Sequence, residues 1–195
     1  MKKLLLIILF ISVLASICYL IFINNLKQLN PSKDSESITE IFGLTKISKL
    51  SFSYKTTPNG YVLINNQVNW PENIISSISL LSKHDYKGVS QPGFVGEGPP
   101  SMTISVFKNP ERLDAQAWAD ANSPASNIEL IDSPPVPAEV GGIDGIYYLV
   151  LGLYLFDTYV ISYNDEIYLL SGAYYEKNDE YYQNFSDVVS TVVIE

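Results

Sequence analysis

The sequence predicts an α+β domain: a central antiparallel sheet flanked by helices, preceded by one N-terminal transmembrane helix. Three observations carry this. Residues 4–23 form an apolar run broken only by Ser12 and Ser16. Residues 146–150, 154–163 and 167–174 are rich in Tyr, Val, Ile, Leu and Phe and follow one another with short connections. Helical patterns stand on either side of that meander, one after Asn109 and one closing the chain.

The first element is the apolar run. At about 1.5 Å per residue, some 20 helical residues span about 30 Å, the thickness of a bilayer's hydrocarbon core. A cleaved signal peptide has a shorter core, roughly 7–15 residues, and a small-residue site after it. Neither holds here. A lipoprotein signal would modify Cys18, but the bulky Ile17 precedes it and the apolar run continues beyond it. The run therefore reads as an uncleaved anchor, residues 1–26, with a lipidated Cys18 and plain cleavage as the alternatives. Lys2 and Lys3 precede the span, whereas Asp34 and Glu36 soon follow Lys27 and Lys33. That asymmetry predicts a single-pass protein of the cell membrane with a cytoplasmic N-terminus and an extracytoplasmic C-terminal domain.

Residues 27–54 read as a polar linker and an ambiguous lead-in. Ile38, Ile41, Phe42 and Leu44 suit a short helix, and Leu50, Phe52 and Tyr54 alternate as in a strand. Residues 55–195 then make one domain. Residues 57–60, Thr-Pro-Asn-Gly, are a turn signal, residues 61–64 a short strand, and residues 74–81 a further strand. Residues 88–100 hold seven Gly or Pro and predict a long loop. Met102, Ile104 and Val106 alternate with Ser101, Thr103 and Ser105, as in a half-buried strand.

Asn109 as cap, Pro110 at the first helical position and Glu111 beside it predict a helix with Leu113, Ala117, Trp118 and Ala121 on one face. Residues 133–137, Ser-Pro-Pro-Val-Pro, read as a rigid connector. Asn164-Asp165 predicts a hairpin between the last two strands, since Asn tolerates positive φ. Tyr181, Phe185, Val188, Val189 and Val192 recur at helical spacing.

Charge excludes one class of partner. The net charge is −9, and residues 88–195 hold 16 Asp or Glu against two Lys and one Arg. Neutralising phosphates needs clustered Lys and Arg, so nucleic acid is excluded. The one cysteine lies in the apolar run, so the outer domain has no disulfide and no thiolate.

Catalytic patterns are absent from the sequence. His84, the one histidine, sits between Lys83 and Asp85 and reads as a surface residue. There is no G-x-S-x-G elbow and no phosphate-binding glycine loop. The acidic groups at Asp165-Glu166 and Asp179-Glu180 lack EF-hand spacing and read as solvated turns. No cofactor and no metal is expected.

Ten of the 14 tyrosines fall between Tyr147 and Tyr182. Tyr on both faces of a strand places some outward, and exposed Tyr serves recognition. The candidate recognition surface is the 88–100 loop, through Phe94, with Tyr154, Tyr159, Tyr163, Tyr168 and Tyr174.

The order of these features resembles the Mog1/PsbP-like superfamily, in its bacterial membrane-anchored type, over residues 55–194. The cues are Gly60-Tyr61-Val62-Leu63-Ile64 followed by Trp70-Pro71, the strand leading into a Pro110-started helix with Trp118, Val140-Gly141-Gly142 before the hairpins, and the last helix running into Ser190-Thr191-Val192-Val193-Ile194. The family usually places its Trp after the Pro. The resemblance implies a three-layer α-β-α sandwich, and it carries over no catalytic residue.

The functional expectation is a non-enzymatic binding or assembly module held at the membrane, its partner another envelope protein or a glycan. The alternative is a hydrolase of envelope polymers using an Asp/Glu pair. A cleft holding two carboxyl groups and flanked by aromatics would favour that alternative.

Overall fold

The computed structural model describes residues 42–57, 59–66, 72–95 and 97–195. The predicted anchor, Ile38, Ile41, Pro58 and Trp70-Pro71 lie outside them. Among the described residues no helix is long and apolar enough to cross a membrane.

Among the described residues ten strands form two antiparallel sheets. The smaller sheet has the order β1 (Phe42–Ile47), β2 (Leu50–Lys55) and β10 (Val193–Ile194). The larger holds β3 (Tyr61–Asn65), β4 (Ile74–Ser82), β5 (Met102–Lys108), β9 (Glu166–Tyr174), β8 (Leu155–Tyr163), β7 (Ile143–Leu151) and β6 (Val136–Val140), in that order. The helices are α1 (Lys83–Val89), α2 (Ala115–Ala121), the single turn α3 (Ser123–Ser126) and α4 (Glu180–Ser190).

β9 lies at the centre of the larger sheet and is covered on both faces. Tyr168 and Leu170 enter a core shared with Leu50, Phe52, Phe185 and Val188. Ile167 and Leu169, with the opposite side-chain parity, enter a second core with Phe107, Trp118 and Tyr148. The near-continuous apolar runs seen in the sequence are the consequence of this two-sided burial. Gly172 also belongs to the α4 side. A Cβ there would lie 2.2 Å from Phe185 Cγ, so only glycine lets the ring seat on the strand.

Several expectations need correction. Phe42 and Leu44 lie in β1, paired with Lys55 and Ser53 of β2, so hairpin pairing overrides their helical spacing. Leu50 and Phe52, read as lead-in, are fully buried, and residues 42–54 belong to the domain. Gly88 and Val89 close α1 and do not open a loop. The helix expected at Pro110 begins after Asp114, whose side chain accepts from Ala117 N at 2.8 Å. Asn109 instead clasps its own loop, accepting from Leu113 N at 3.0 Å and donating to Leu113 O at 2.8 Å. The buried face of α2 is Ala115, Trp118 and Ala119; Ala121 is exposed.

Val136 and Pro137, read as connector, lie in β6. That strand is an edge of the sheet, where a missing N–H is tolerated. Gly141 and Gly142 take φ of 61° and 78° between the paired residues Val140 and Ile143, a two-residue turn that demands positive φ twice. Asn164 takes φ of 58° in the expected β8–β9 hairpin.

Trp118 packs against Phe107 with ring centroids 4.9 Å apart and planes tilted by 50°, and it is 2% exposed. Trp118→Ala is expected to cost about 3–5 kcal/mol in denaturant unfolding, as loss of a buried large aromatic does. A cost under about 1 kcal/mol would contradict this packing.

Candidate functional site

The clearest candidate surface lies at the end of the larger sheet where β4 runs into α1 and β9 runs toward α4. Local chemistry builds it. Ser82 caps α1, accepting from Asp85 N at 3.0 Å while its hydroxyl donates to Asp85 Oδ2 at 2.6 Å. Asp179 caps α4, accepting from Tyr182 N at 2.7 Å. The other oxygen of Asp179 accepts from Tyr175 N at 2.8 Å and fixes the backbone that carries the Tyr175 ring. Tyr181, on the first turn of α4, donates its hydroxyl to Asp85 Oδ2 at 2.8 Å and joins the two caps.

Aromatic rings continue this frame. Tyr175 meets Tyr181 edge-on at 5.9 Å and Tyr154 at 5.3 Å, and Tyr154 meets Phe156 at 6.3 Å. The Tyr154 hydroxyl donates to Gly98 O at 2.8 Å and ties the Gly/Pro loop to the β7–β8 turn. Phe94, Tyr154 and Tyr175 line an open cleft of about 280 Å³, with His84, Asp85 and Glu97 also on its walls. Apolar side chains remain in solvent around it: Phe94 is 46% exposed, Val95 93%, Leu153 68% and Tyr175 60%.

The structure divides the six residues expected to form a recognition surface. Phe94 and Tyr154 share this cleft. Tyr159 is half-buried, its ring 5.1 Å from Tyr147 and 6.1 Å from Phe185. Tyr163 packs on the core with Lys49 Nζ 5.8 Å above its ring. Tyr168 and Tyr174 are fully buried, against the expectation that they face outward. Their strand is covered on both faces, so alternation there does not separate inside from outside. Tyr175 was missed because it lies one residue past the strand. The signal that finds it is Asp179, a helix-cap residue four positions later.

Two buried or half-buried tyrosines serve a different purpose. Tyr147 and Tyr174 donate to Asp157 Oδ1 at 2.8 and 2.7 Å, and Asp157 is 6% exposed. The two phenols supply the hydrogen bonds that a buried carboxylate requires. Tyr168 donates to Glu166, which also accepts from the Ser48 hydroxyl at 2.8 Å.

No known family profile matches this chain, and no curated protein matches it in sequence. The structure is similar to the crystal structure of a protein from Bacteroides thetaiotaomicron VPI-5482, with 12% identity and a TM-score of 0.44 over 75% of this chain. The chain spans only 45% of that protein's length. It is also similar to the solution structure of cyanobacterial PsbP (CyanoP) from Synechocystis sp. PCC 6803. That match has 11% identity and a TM-score of 0.53, covering 84% of this chain and 98% of the other. The fold is PsbP-like.

On this PsbP-like scaffold the tyrosines carry a pH signature. Burial, followed by the hydrogen bond to Asp157, pushes the Tyr147 and Tyr174 phenols well above the ordinary value. Burial, followed by the bond to Glu166, pushes Tyr168 from 10.0 up to about 12. A phenol whose folded value is raised stabilises the fold fully below its unfolded value. That contribution is lost as pH climbs from there through the folded value. The tyrosine contribution to unfolding free energy should therefore be level up to about pH 10 and fall above it, the share of Tyr168 being lost between about pH 10 and 12. Phenolate absorbance should show a group of tyrosines that ionise only as the domain unfolds. Simultaneous titration of all 14 tyrosines near pH 10 in a folded chain would contradict this burial.

Proposed function

We propose that this chain is a membrane-tethered, extracytoplasmic binding or assembly module without enzymatic activity, and that the aromatic end of its domain is the recognition surface. The observation that carries the reading is an apolar surface held rigid from beneath. Phe94, Val95, Leu153 and Tyr175 stand in solvent, while Asp85, Asp179 and Gly98 anchor the rings and loops around them. Exposed apolar patches of this kind mark interaction sites. Preorganised aromatics lose little entropy on binding.

The tether rests on residues 4–23 and the charge asymmetry around them. The three-layer α-β-α arrangement belongs to the same reading. Trp118 of α2 and Phe185 of α4 enter the two different cores of the larger sheet. The favoured partner is another envelope protein, since the surface offers aromatic and aliphatic contact in an acidic domain. A polymer hydrolase is the second reading, because Asp85 and Glu97 both line the aromatic cleft. It ranks lower because Asp85 Oδ2 already accepts from Ser82 and Tyr181 and serves the frame.

The test places a photocrosslinking residue at Phe94, Tyr175 or Asn164 of the full chain in intact membranes. Adducts are expected at the first two positions and not at Asn164, in the hairpin at the other end of β9. They should weaken with Tyr175→Ala at unchanged stability. Equal adducts at all three positions, or none, would contradict the proposed surface. The tether is read separately. The chain should stay in the membrane pellet at high salt, and a chain lacking residues 1–30 should leave it. Retention of the shortened chain would overturn the anchor alone. Hydrolysis of an envelope polymer that is abolished by Glu97→Gln would select the second reading.

A further inference from the structure

The aromatic cleft carries negative charge that the domain does not balance. Asp85 and Glu97 line it with Phe94, Tyr154 and Tyr175, and His84 supplies its basic side chain. Among the described residues no lysine or arginine lines it. The lysines of α1 are engaged elsewhere. Lys83 and Lys87 line a separate cleft beside Glu180, and Lys83 Nζ donates to Thr56 O and Thr57 O at 2.8 and 3.0 Å. Residues 88–195 hold three further cations against 16 Asp or Glu. Of these, Lys108 and Arg112 lie beyond the other end of β5, and Lys177 is outside the lining.

Both carboxylates keep capacity for a cation. Asp85 Oδ2 accepts from Ser82 and Tyr181, while Oδ1 accepts no hydrogen bond among the described residues. Glu97 is exposed, and among the described residues no ion pair joins either carboxylate to a basic group. Both act on the Tyr154 phenol. Burial, then Tyr175, then Glu97 and Asp85 push its pKa up, so rings and carboxylates share one small space. The face of an aromatic ring is electronegative and attracts a cation within about 6 Å of its centroid. Rings and carboxylates therefore favour the same sign of charge.

That combination selects among the side chains a protein partner can offer. An acidic one is repelled by two carboxylates. An aliphatic one fills the space between the rings but strips water from Asp85 and Glu97 without replacing it. A lysine ammonium is a compact, strongly hydrated point charge. An arginine guanidinium is planar, stacks on aromatic faces and meets a carboxylate with two parallel hydrogen bonds.

We propose that the aromatic cleft seats an arginine side chain from a basic segment of the partner protein, its guanidinium against the exposed rings and paired with Glu97 and Asp85. The inference rests on the reading of the aromatic end as the recognition surface and adds the charge of what it recognises.

The test uses the full-length chain with 13C-labelled tyrosine in detergent micelles. The ring signal lost in Tyr175→Phe identifies the relevant one. The probe is the capped peptide Gly-Gly-Arg-Gly-Gly, and the control carries citrulline, a neutral side chain of similar shape, in place of arginine. The arginine peptide should move the Tyr175 signal saturably, and the citrulline peptide should bind at least about fivefold more weakly. Glu97→Gln, at an exposed position, should weaken the arginine response about two- to fivefold with the fold intact, and added salt should weaken it in the unsubstituted chain. The proposal is overturned if the arginine peptide leaves the signal in place, if the citrulline peptide acts equally, or if Glu97→Gln changes nothing. The two readings fail separately. Photocrosslinks at Phe94 and Tyr175 without arginine binding would remove the cationic partner and keep the surface. Absence of those crosslinks would remove the surface and this proposal with it.

Discussion

The seat of Phe185 on Gly172 is the contact on which the rest of the domain depends. Gly172 stands in β9, the central strand of the larger sheet, and it is the one position of that strand where a side chain is absent. The ring fills this vacancy and sets α4 down along the strand. Two consequences follow along the chain. Beyond α4, Val193 and Ile194 pair with Ser51 and Leu50, so the smaller sheet is completed by the chain's last residues. Before α4, the cap at Asp179 also holds the backbone of Tyr175, so the aromatic end is positioned by the same helix. A shift of α4 would disturb core, second sheet and surface together.

Polarity inside the domain is handled by tyrosine. Asp157 faces the α4 side of β8 with two phenols on one oxygen, and rings from Tyr159 and Tyr182 lie against its partners. This explains the tyrosine enrichment more fully than recognition does. Several of these rings join apolar area to one hydroxyl and use both, as Tyr148 does when it donates to Ser126 O at 2.9 Å. Of the rings beyond the strand ends, Tyr175 stays exposed and Tyr154 half-exposed, as Tyr86 of α1 also stays exposed. The exposed aromatics of this PsbP-like fold thus stand at loops and helix caps, where side chains can be exposed without opening the core.

The sequence made much of the fold legible, for reasons that particular residues show. The hairpin at Asn164 and the strand at Met102, Ile104 and Val106 were readable because each has a local cause, a turn residue or a clean alternation. Trp118 was placed inside because it sits among alanines on one helical face. The start of α2 was misread because Asn109-Pro110 imitates a cap, while the operative cap, Asp114, lies five residues later. β1 and β6 were missed although each pairs with the next strand through a two-residue turn, because Phe42 and Leu44 also fit helical spacing and the prolines of residues 133–137 read as a connector. The exposure of the tyrosines was half legible. Period-two alternation assigns faces only when one face is wet, and β9 has none. That Asn73 Oδ1 and Trp118 Nε1 are buried with no hydrogen-bond partner among the described residues was not legible at all, since hydrogen-bond partners are set in three dimensions.

The most direct test of this account is a double-mutant cycle between Gly172 and Phe185, read by denaturant unfolding. Gly172→Ala alone should be strongly destabilising, because its Cβ would overlap the ring. Phe185→Leu alone should cost about 1–2 kcal/mol. In the combined variant the smaller side chain makes room for the new methyl group, so the double variant should be more stable than Gly172→Ala by itself. Two costs that simply add would show that α4 is not seated on β9 through this contact, and would contradict the account.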